Sequence, residues 1–117
     1  MTKRVLVVED DALIGLDIAQ QLTDAGFEVV GPAISAGKAL SLLAEKGCDV
    51  AVLDVNLGRE TSESVASELR AQHTPFVVLS GYPSEQHPLS FRGAPTLSKP
   101  ARPQELVAML FKCTNAV

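Results

Sequence analysis

Only two cysteines occur in the chain, Cys48 and Cys113, far apart in sequence. So sparse a pair argues against a disulfide framework or a metal knuckle and fits free thiols, buried or half-buried, in a reducing cytosol. No run of basic residues is present, and a formal net charge of −4 with a pI near 5.0 leaves no footprint for nucleic acid. No window approaches the ~18 apolar residues of a membrane span, and no signal peptide opens the chain, so a cytoplasmic protein without membrane contact is expected. Internal repeats, low-complexity tracts and linker-like stretches are also missing. What is present is 117 residues, 46% of them hydrophobic, with a mean hydropathy of +0.18. That is room for one domain spanning residues 1–117, with enough apolar side chains to fill a core.

The stretch CDVAVLDVNLG, residues 48–58, organises the rest. Its middle is the unbroken apolar run Val50-Ala51-Val52-Leu53, and Asp54 stands at its end. Such a run, bounded by polar residues, suits a strand buried on both faces, as in a parallel sheet covered by helices. Asp54 then lies at the carboxyl end of a central strand, the edge where open α/β sheets place their chemistry. Two readings stand at this point: a binding or nucleophilic carboxylate, or a helix N-cap.

The neighbouring segments repeat the pattern. Residues 4–8 form a β-branched apolar run that ends in Glu9-Asp10-Asp11, and residues 12–25 have helical spacing closed by Gly26. Glu28-Val29-Val30-Gly31 reads as a short strand with Pro32 beyond it, and Ser35 can cap a second helix ending at Gly47. A third helix is expected from Thr61 or Ser62 to Gln72, a fourth strand over residues 75–79, a last strand over 94–98 and a closing helix over 104–113. Residues 83–93 carry two prolines and few apolar side chains, so any helix there is short, and this segment is expected to be the least stable part of the domain. Five strands alternating with five helical segments predict a flavodoxin-like (βα)5 three-layer sandwich, with a parallel sheet in the order 2-1-3-4-5. That order puts Glu9, Asp10 and Asp54 side by side at the switch point between strands 1 and 3, with Ser80 and Lys99 ending strands 4 and 5 on the same edge.

Three packed carboxylates repel one another and are costly to desolvate. A fold keeps them together if a cation answers them or if some of their pKa values rise. Hard oxygen ligands suit Mg²⁺, which favours a few carboxylates alongside water and phosphate oxygens. A carboxylate nucleophile, a Mg²⁺ site, a hydroxyl and an ammonium together could stabilise a phosphoryl group in transfer. Each residue alone has a plain structural explanation; their meeting at strand ends does not.

VLVVEDD near the amino terminus, the Asp54 strand end, VVLSG and LSKP resemble the receiver domain of bacterial response regulators, over essentially the whole chain. The resemblance implies Asp54 as phosphoacceptor, Asp10 as a direct Mg²⁺ ligand, Glu9 as its water-mediated companion and the Asn56 carbonyl as a further ligand. Ser80 would be the switch hydroxyl and Lys99 the partner of the phosphoryl group, with Lys99–Pro100 often cis in the family. It also implies a histidine kinase or histidine phosphotransfer protein as donor, a downstream protein partner, and no enzyme activity beyond self-catalysed phosphotransfer and autodephosphorylation. The run PFVVLSGY is similar to the PFxFATGY-like strand of an alphaproteobacterial single-domain subgroup, with Val, Leu and Ser at the variant positions. The chain reads as a stand-alone regulator or an excised domain of a larger one, and its start at Met1 and its end shortly after the last apolar turn favour the former.

Departures from the family are informative. Its usual proline and glycine after the acceptor are here Gly58 and Ser62, so the loop into the third helix should differ. Its aromatic switch position is Thr96, which leaves Tyr82, the only tyrosine, as the candidate switch residue beyond Ser80. Competing functions are a Mg²⁺-dependent phosphatase with an aspartate nucleophile, and an unphosphorylated docking module. The phosphatase needs an acid two residues after its nucleophile, where this chain has Asn56. The docking module does not require the intact acidic set. A nucleotide-binding module would need a glycine-rich loop after the first strand, which is missing.

Overall fold

The computed structural model describes residues 2–81 and 89–115. Tyr82 and most of the 83–93 segment lie outside the described residues. In chain order the elements are β1 (Arg4–Val8), α1 (Ala12–Asp24), β2 (Glu28–Ala33), α2 (Ala36–Lys46), β3 (Val50–Asp54), α3 (Glu63–Ala71), β4 (Phe76–Ser80), a 3₁₀ turn (Leu89–Phe91), β5 (Thr96–Ser98) and α4 (Pro103–Asn115). The strands form one parallel sheet in the order β2-β1-β3-β4-β5, as expected. Among the described residues there are four α-helices, and the segment expected to hold at most a short helix lies partly outside them. Only the 3₁₀ turn stands in the described part of the 83–93 segment.

Every residue of β3 and β4 is buried, which is why these two strands are unbroken apolar runs in sequence. Alternate side chains go to opposite faces. Leu6, Val8, Ala51, Leu53 and Val78 pack under α2 and α3, with Phe91 of the 3₁₀ turn closing that side. Val5, Val7, Val50, Val52 and Val77 pack under α1 and α4, where the rings of Phe27 and Phe111 meet at 4.9 Å. With β3 in the middle of the sheet, Asp54 projects from its most constrained edge.

Several element boundaries differ from expectation, most by one or two residues. β2 runs through Gly31-Pro32 to Ala33 instead of stopping at Gly31. Gly31 has φ +100, and the register against β1 shifts between Leu6 and Val8 before the strand resumes, with Glu9 N donating to Ala33 O at 2.9 Å; the Gly31–Pro32 bond is cis. A Cβ on Gly31 would come within 2.7 Å of Ala33 N, so glycine is required there. β5 begins at Thr96, not Ala94, since Pro95 has no N–H to give a ladder and contributes only its carbonyl, to Val78 N. The third helix starts at Glu63 and ends at Ala71. Lys99–Pro100 is cis, as the resemblance implied.

His73 follows α3 with φ 57, the one described non-glycine residue at positive φ, while Thr74 N donates to Leu69 O at 2.8 Å. A left-handed terminus of this kind favours glycine. His73→Gly is therefore expected to stabilise the fold by up to about 1 kcal/mol, the Cβ penalty less glycine's greater freedom when unfolded. Urea midpoints of the two proteins check this; an unchanged or lower midpoint counts against it.

Both cysteines are free and half-buried. Burial, first of all, pushes the Cys48 thiol up to about 11, and burial likewise raises Cys113. Native Cys48 should therefore alkylate at pH 8 at least about 10-fold more slowly than in urea. Peptide mapping after timed iodoacetamide treatment reads this, and equal rates would contradict it.

Candidate functional site

The parallel β1–β3 ladder pairs Val8 with Leu53, so the residues that follow each strand emerge together. They are Glu9 after β1 and Asp54 at the end of β3. One carboxylate oxygen from each of Glu9, Asp10 and Asp54 lies within 4.8 Å of the others. Glu9 and Asp54 are almost fully buried, at 1% and 3% exposure, whereas Asp10 faces solvent. The fourth acid, Asp11, belongs to the helix: its Oδ1 accepts from Leu13 N and Ile14 N at 3.0 and 3.1 Å and caps α1.

Asp54 is not a helix cap, since α3 starts nine residues later with Ser62 at its N-cap position. Its carboxylate is held at both oxygens. Lys99 Nζ lies 2.5 Å from Oδ2, and Asn56 N donates to Oδ1 at 3.3 Å. Lys99 comes from just beyond β5, where its main-chain N–H donates to Ser80 O at 3.0 Å. Its ammonium is also 3.7 Å from Glu9 Oε1. Ser80 is buried at the end of β4, one residue past Leu79, the ladder partner of Asp54. Thus the sheet brings Glu9, Asp10, Asp54, Asn56, Ser80 and Lys99 to one edge; Tyr82 lies outside the described residues.

The electrostatics of this edge are unbalanced. Burial pushes the Glu9 carboxyl up to about 8, reinforced by hydrogen bonding to Asp54 and Asp10 and by repulsion from Asp54. For Lys99, burial pulls the other way but is outweighed by its bond to Asp54 and the charges of Asp54, Glu9 and Asp10, so its pKa rises. Glu9 Oε2 accepts from Asp11 N at 3.3 Å, but the buried Oε1 has no hydrogen-bond partner among the described residues. Three hard carboxylates, one of them with an orphaned buried oxygen, face a single ammonium. This donor set fits a small divalent cation such as Mg²⁺. Gly58, at φ +80, takes the left-handed backbone that favours glycine as the loop after β3 passes beside the cluster. A cleft of about 460 Å³ opens beside Glu9 and Lys99, walled by Ile14, Ile18, Leu79 and Leu106.

The family model for the response regulator receiver domain matches residues 5–111. The chain belongs to that family. Receiver domains serve two-component signalling, in which a kinase or phosphotransfer protein is the phosphodonor, and they bind Mg²⁺ at an acidic pocket; the acidic cluster of this receiver domain is Glu9, Asp10 and Asp54. It is 36% identical over 81 residues to the transcriptional regulatory protein PdtaR of Mycobacterium tuberculosis, a match covering 68% of this chain and 40% of that one. The chain thus spans well under two thirds of the length of that relative. Its fold is that of the Vibrio cholerae chemotaxis protein CheY4, with a TM-score of 0.83 at 27% identity over 97% and 99% of the two chains. A response regulator from Burkholderia pseudomallei, solved with a phosphorylated aspartic acid, a calcium ion and citrate, aligns with a TM-score of 0.81 at 26% identity, over 92% of this chain and 66% of that one. No helix among the described residues of this receiver domain is long and apolar enough to cross a membrane.

Sequence reasoning missed two residues of the loop between β3 and α3. Glu60 reaches across to α2, where its Oε2 accepts from Ala36 N at 3.2 Å. Ser62, fully buried, turns its hydroxyl back to Asp54 O at 2.7 Å. The absence of the family's usual proline and glycine marked this loop as unusual, but both contacts are tertiary.

Proposed function

We propose that the chain is a phosphoacceptor domain that takes a phosphoryl group from a histidine kinase or histidine phosphotransfer protein onto Asp54 and relays the change to a downstream protein. The observation that carries this reading is the Asp54 carboxylate, buried at the end of the central strand and gripped by Lys99 at 2.5 Å inside a three-acid cluster. In the transfer an Asp54 oxygen bonds to phosphorus as the bond from phosphorus to the donor imidazole nitrogen breaks, the nitrogen keeping the electron pair. Lys99 orients the carboxylate beforehand and pairs with the phosphoryl oxygens afterwards. The Asn56 N–H steadies the other carboxylate oxygen. Mg²⁺, held by Asp10, Asp54 and the Asn56 carbonyl with Glu9 behind a water, would neutralise charge on the transferring phosphoryl group.

Ser80 is assigned the hydroxyl that turns to the phosphoryl group and Tyr82 the residue that carries the change onward. The domain extends over residues 1–117, acts in the cytoplasm, binds neither nucleic acid nor membrane, and has no catalytic activity beyond its own phosphorylation and dephosphorylation. A phosphatase is disfavoured because Asn56, two residues after Asp54, cannot protonate a leaving group.

Incubation with acetyl phosphate and Mg²⁺ followed by intact mass spectrometry tests the proposal. A single phosphoryl adduct is expected, and EDTA should suppress it. A protein that stays unlabelled with Mg²⁺ present would overturn the reading.

A further inference from the structure

We propose that Ser62 is a positioning residue for phosphoryl uptake, acting through the main chain of Asp54; this rests on the reading of Asp54 as the acceptor. Serine at the N-cap position of a helix ordinarily turns its hydroxyl toward the first free N–H groups of that helix. Ser62 occupies that position before α3 and makes no such bond. The nearest substitute is Thr61, whose Oγ1 accepts from Glu63 N at 3.4 Å. The hydroxyl of Ser62, at 0% exposure, is instead donated backwards over eight residues to the carbonyl of Asp54, at 2.7 Å.

This bond is one of several that fix a short piece of backbone. Ser62 N donates to Val55 O at 3.1 Å, and Val55 N donates to Leu79 O at 3.1 Å. The peptide joining Asp54 to Val55 is therefore held at its carbonyl by the Ser62 side chain and at its N–H by β4. One residue on, Asn56 N reaches Asp54 Oδ1. An antiparallel bridge between Asn56 and Thr61 and a turn from Leu57 N to Glu60 O complete the loop. Tilting the Asp54 carbonyl would swing the Asn56 N–H away from the carboxylate and shift the Asn56 carbonyl with it. Removing the hydroxyl also leaves a buried carbonyl short of a donor, which favours such a tilt. Ser62 touches neither the phosphodonor nor the reacting oxygen; it sets their geometry.

The test compares the parent with Ser62→Ala, Ser62→Gly and Val65→Ala, the last a buried apolar side chain of the same helix that gives no hydrogen bond to Asp54 and serves as a control for lost stability. With acetyl phosphate and Mg²⁺, both Ser62 variants should show a limiting rate of adduct formation about 10-fold lower, at an unchanged half-saturating donor concentration. Val65→Ala should keep the parent's limiting rate. The amide resonance of Asn56, read without any phosphodonor, should move in the Ser62 variants and stay in place in Val65→Ala. Ser62 variants that match the parent in rate, or a Val65→Ala protein slowed as much as they are, would overturn the inference. A parent that takes up no phosphoryl group would instead overturn the assignment of Asp54, and the two failures are thereby distinguished.

Discussion

Asp54→Asn is expected to abolish phosphoryl uptake, by about 1000-fold or more, under conditions that label the parent fully. An amide presents no anionic oxygen to phosphorus, so the nucleophile is lost while shape is kept. The remaining structure should survive. Asn56 N can still donate to the retained side-chain carbonyl, and the ladder from β3 to β4 does not involve the side chain. One of three mutually repelling acids is also removed, at the cost of the Lys99 ion pair. Intact mass after acetyl phosphate treatment reads the result, with circular dichroism to verify folding. Labelling that persists at the parent's level would assign the phosphoryl group to another residue.

The second large effect is on stability against pH. Glu9 titrates near 8 in the folded protein against an ordinary value of 4.5, so the native state binds this proton more tightly than the unfolded chain. Its contribution is full below about pH 4.5 and is lost as pH rises toward about 8. Metal-free protein in EDTA should therefore lose on the order of a few kcal/mol between pH 5 and pH 8. The raised pKa of Lys99 acts only above its own ordinary value of 10.5 and leaves this window untouched. Glu9→Gln should flatten the dependence, since a neutral amide has no proton to lose. Added Mg²⁺ should oppose it, because a metal ion competes with protons for the same oxygens and binds better as pH rises. Urea denaturation at the two pH values, with EDTA or Mg²⁺, measures all of this. A Glu9→Gln protein with the parent's slope would place the titration elsewhere.

The fold was legible where burial writes itself into local sequence. β3 and β4 bury every residue, so they appear as unbroken apolar runs with their ends marked by Asp54 and Ser80. The site was legible for a related reason: once the strand order is known, residues ending β1, β3 and β5 must meet, and Glu9, Asp10, Asp54 and Lys99 do. Contacts at long range were not legible. Pro32 reads locally as a stop, yet β2 continues past it because Gly31 bulges and Ala33 finds Glu9 N. Pro95 reads as part of a strand, yet it cannot donate to one. Ser62 reads as a helix cap, and only the folded loop shows its hydroxyl turned to Asp54. Nor does any pattern in sequence announce that Glu9 Oε1 is buried without a partner.

The separation of 45 residues between Asp54 and Lys99 has a consequence for biosynthesis. The acids come from β1 and β3, in the first half of the chain, and the ammonium follows β5. A ribosome-bound chain that has released only the residues through β3 has all three carboxylates but not the cation that faces them in the finished fold. Until residue 99 has left the exit tunnel, those acids lack the ammonium that pairs with Asp54 and Glu9 in the folded domain. A phosphodonor that met the chain at that stage would find the acids without Lys99. The part of the site that answers their charge is thus among the last pieces to be synthesised, and a truncated chain lacks it.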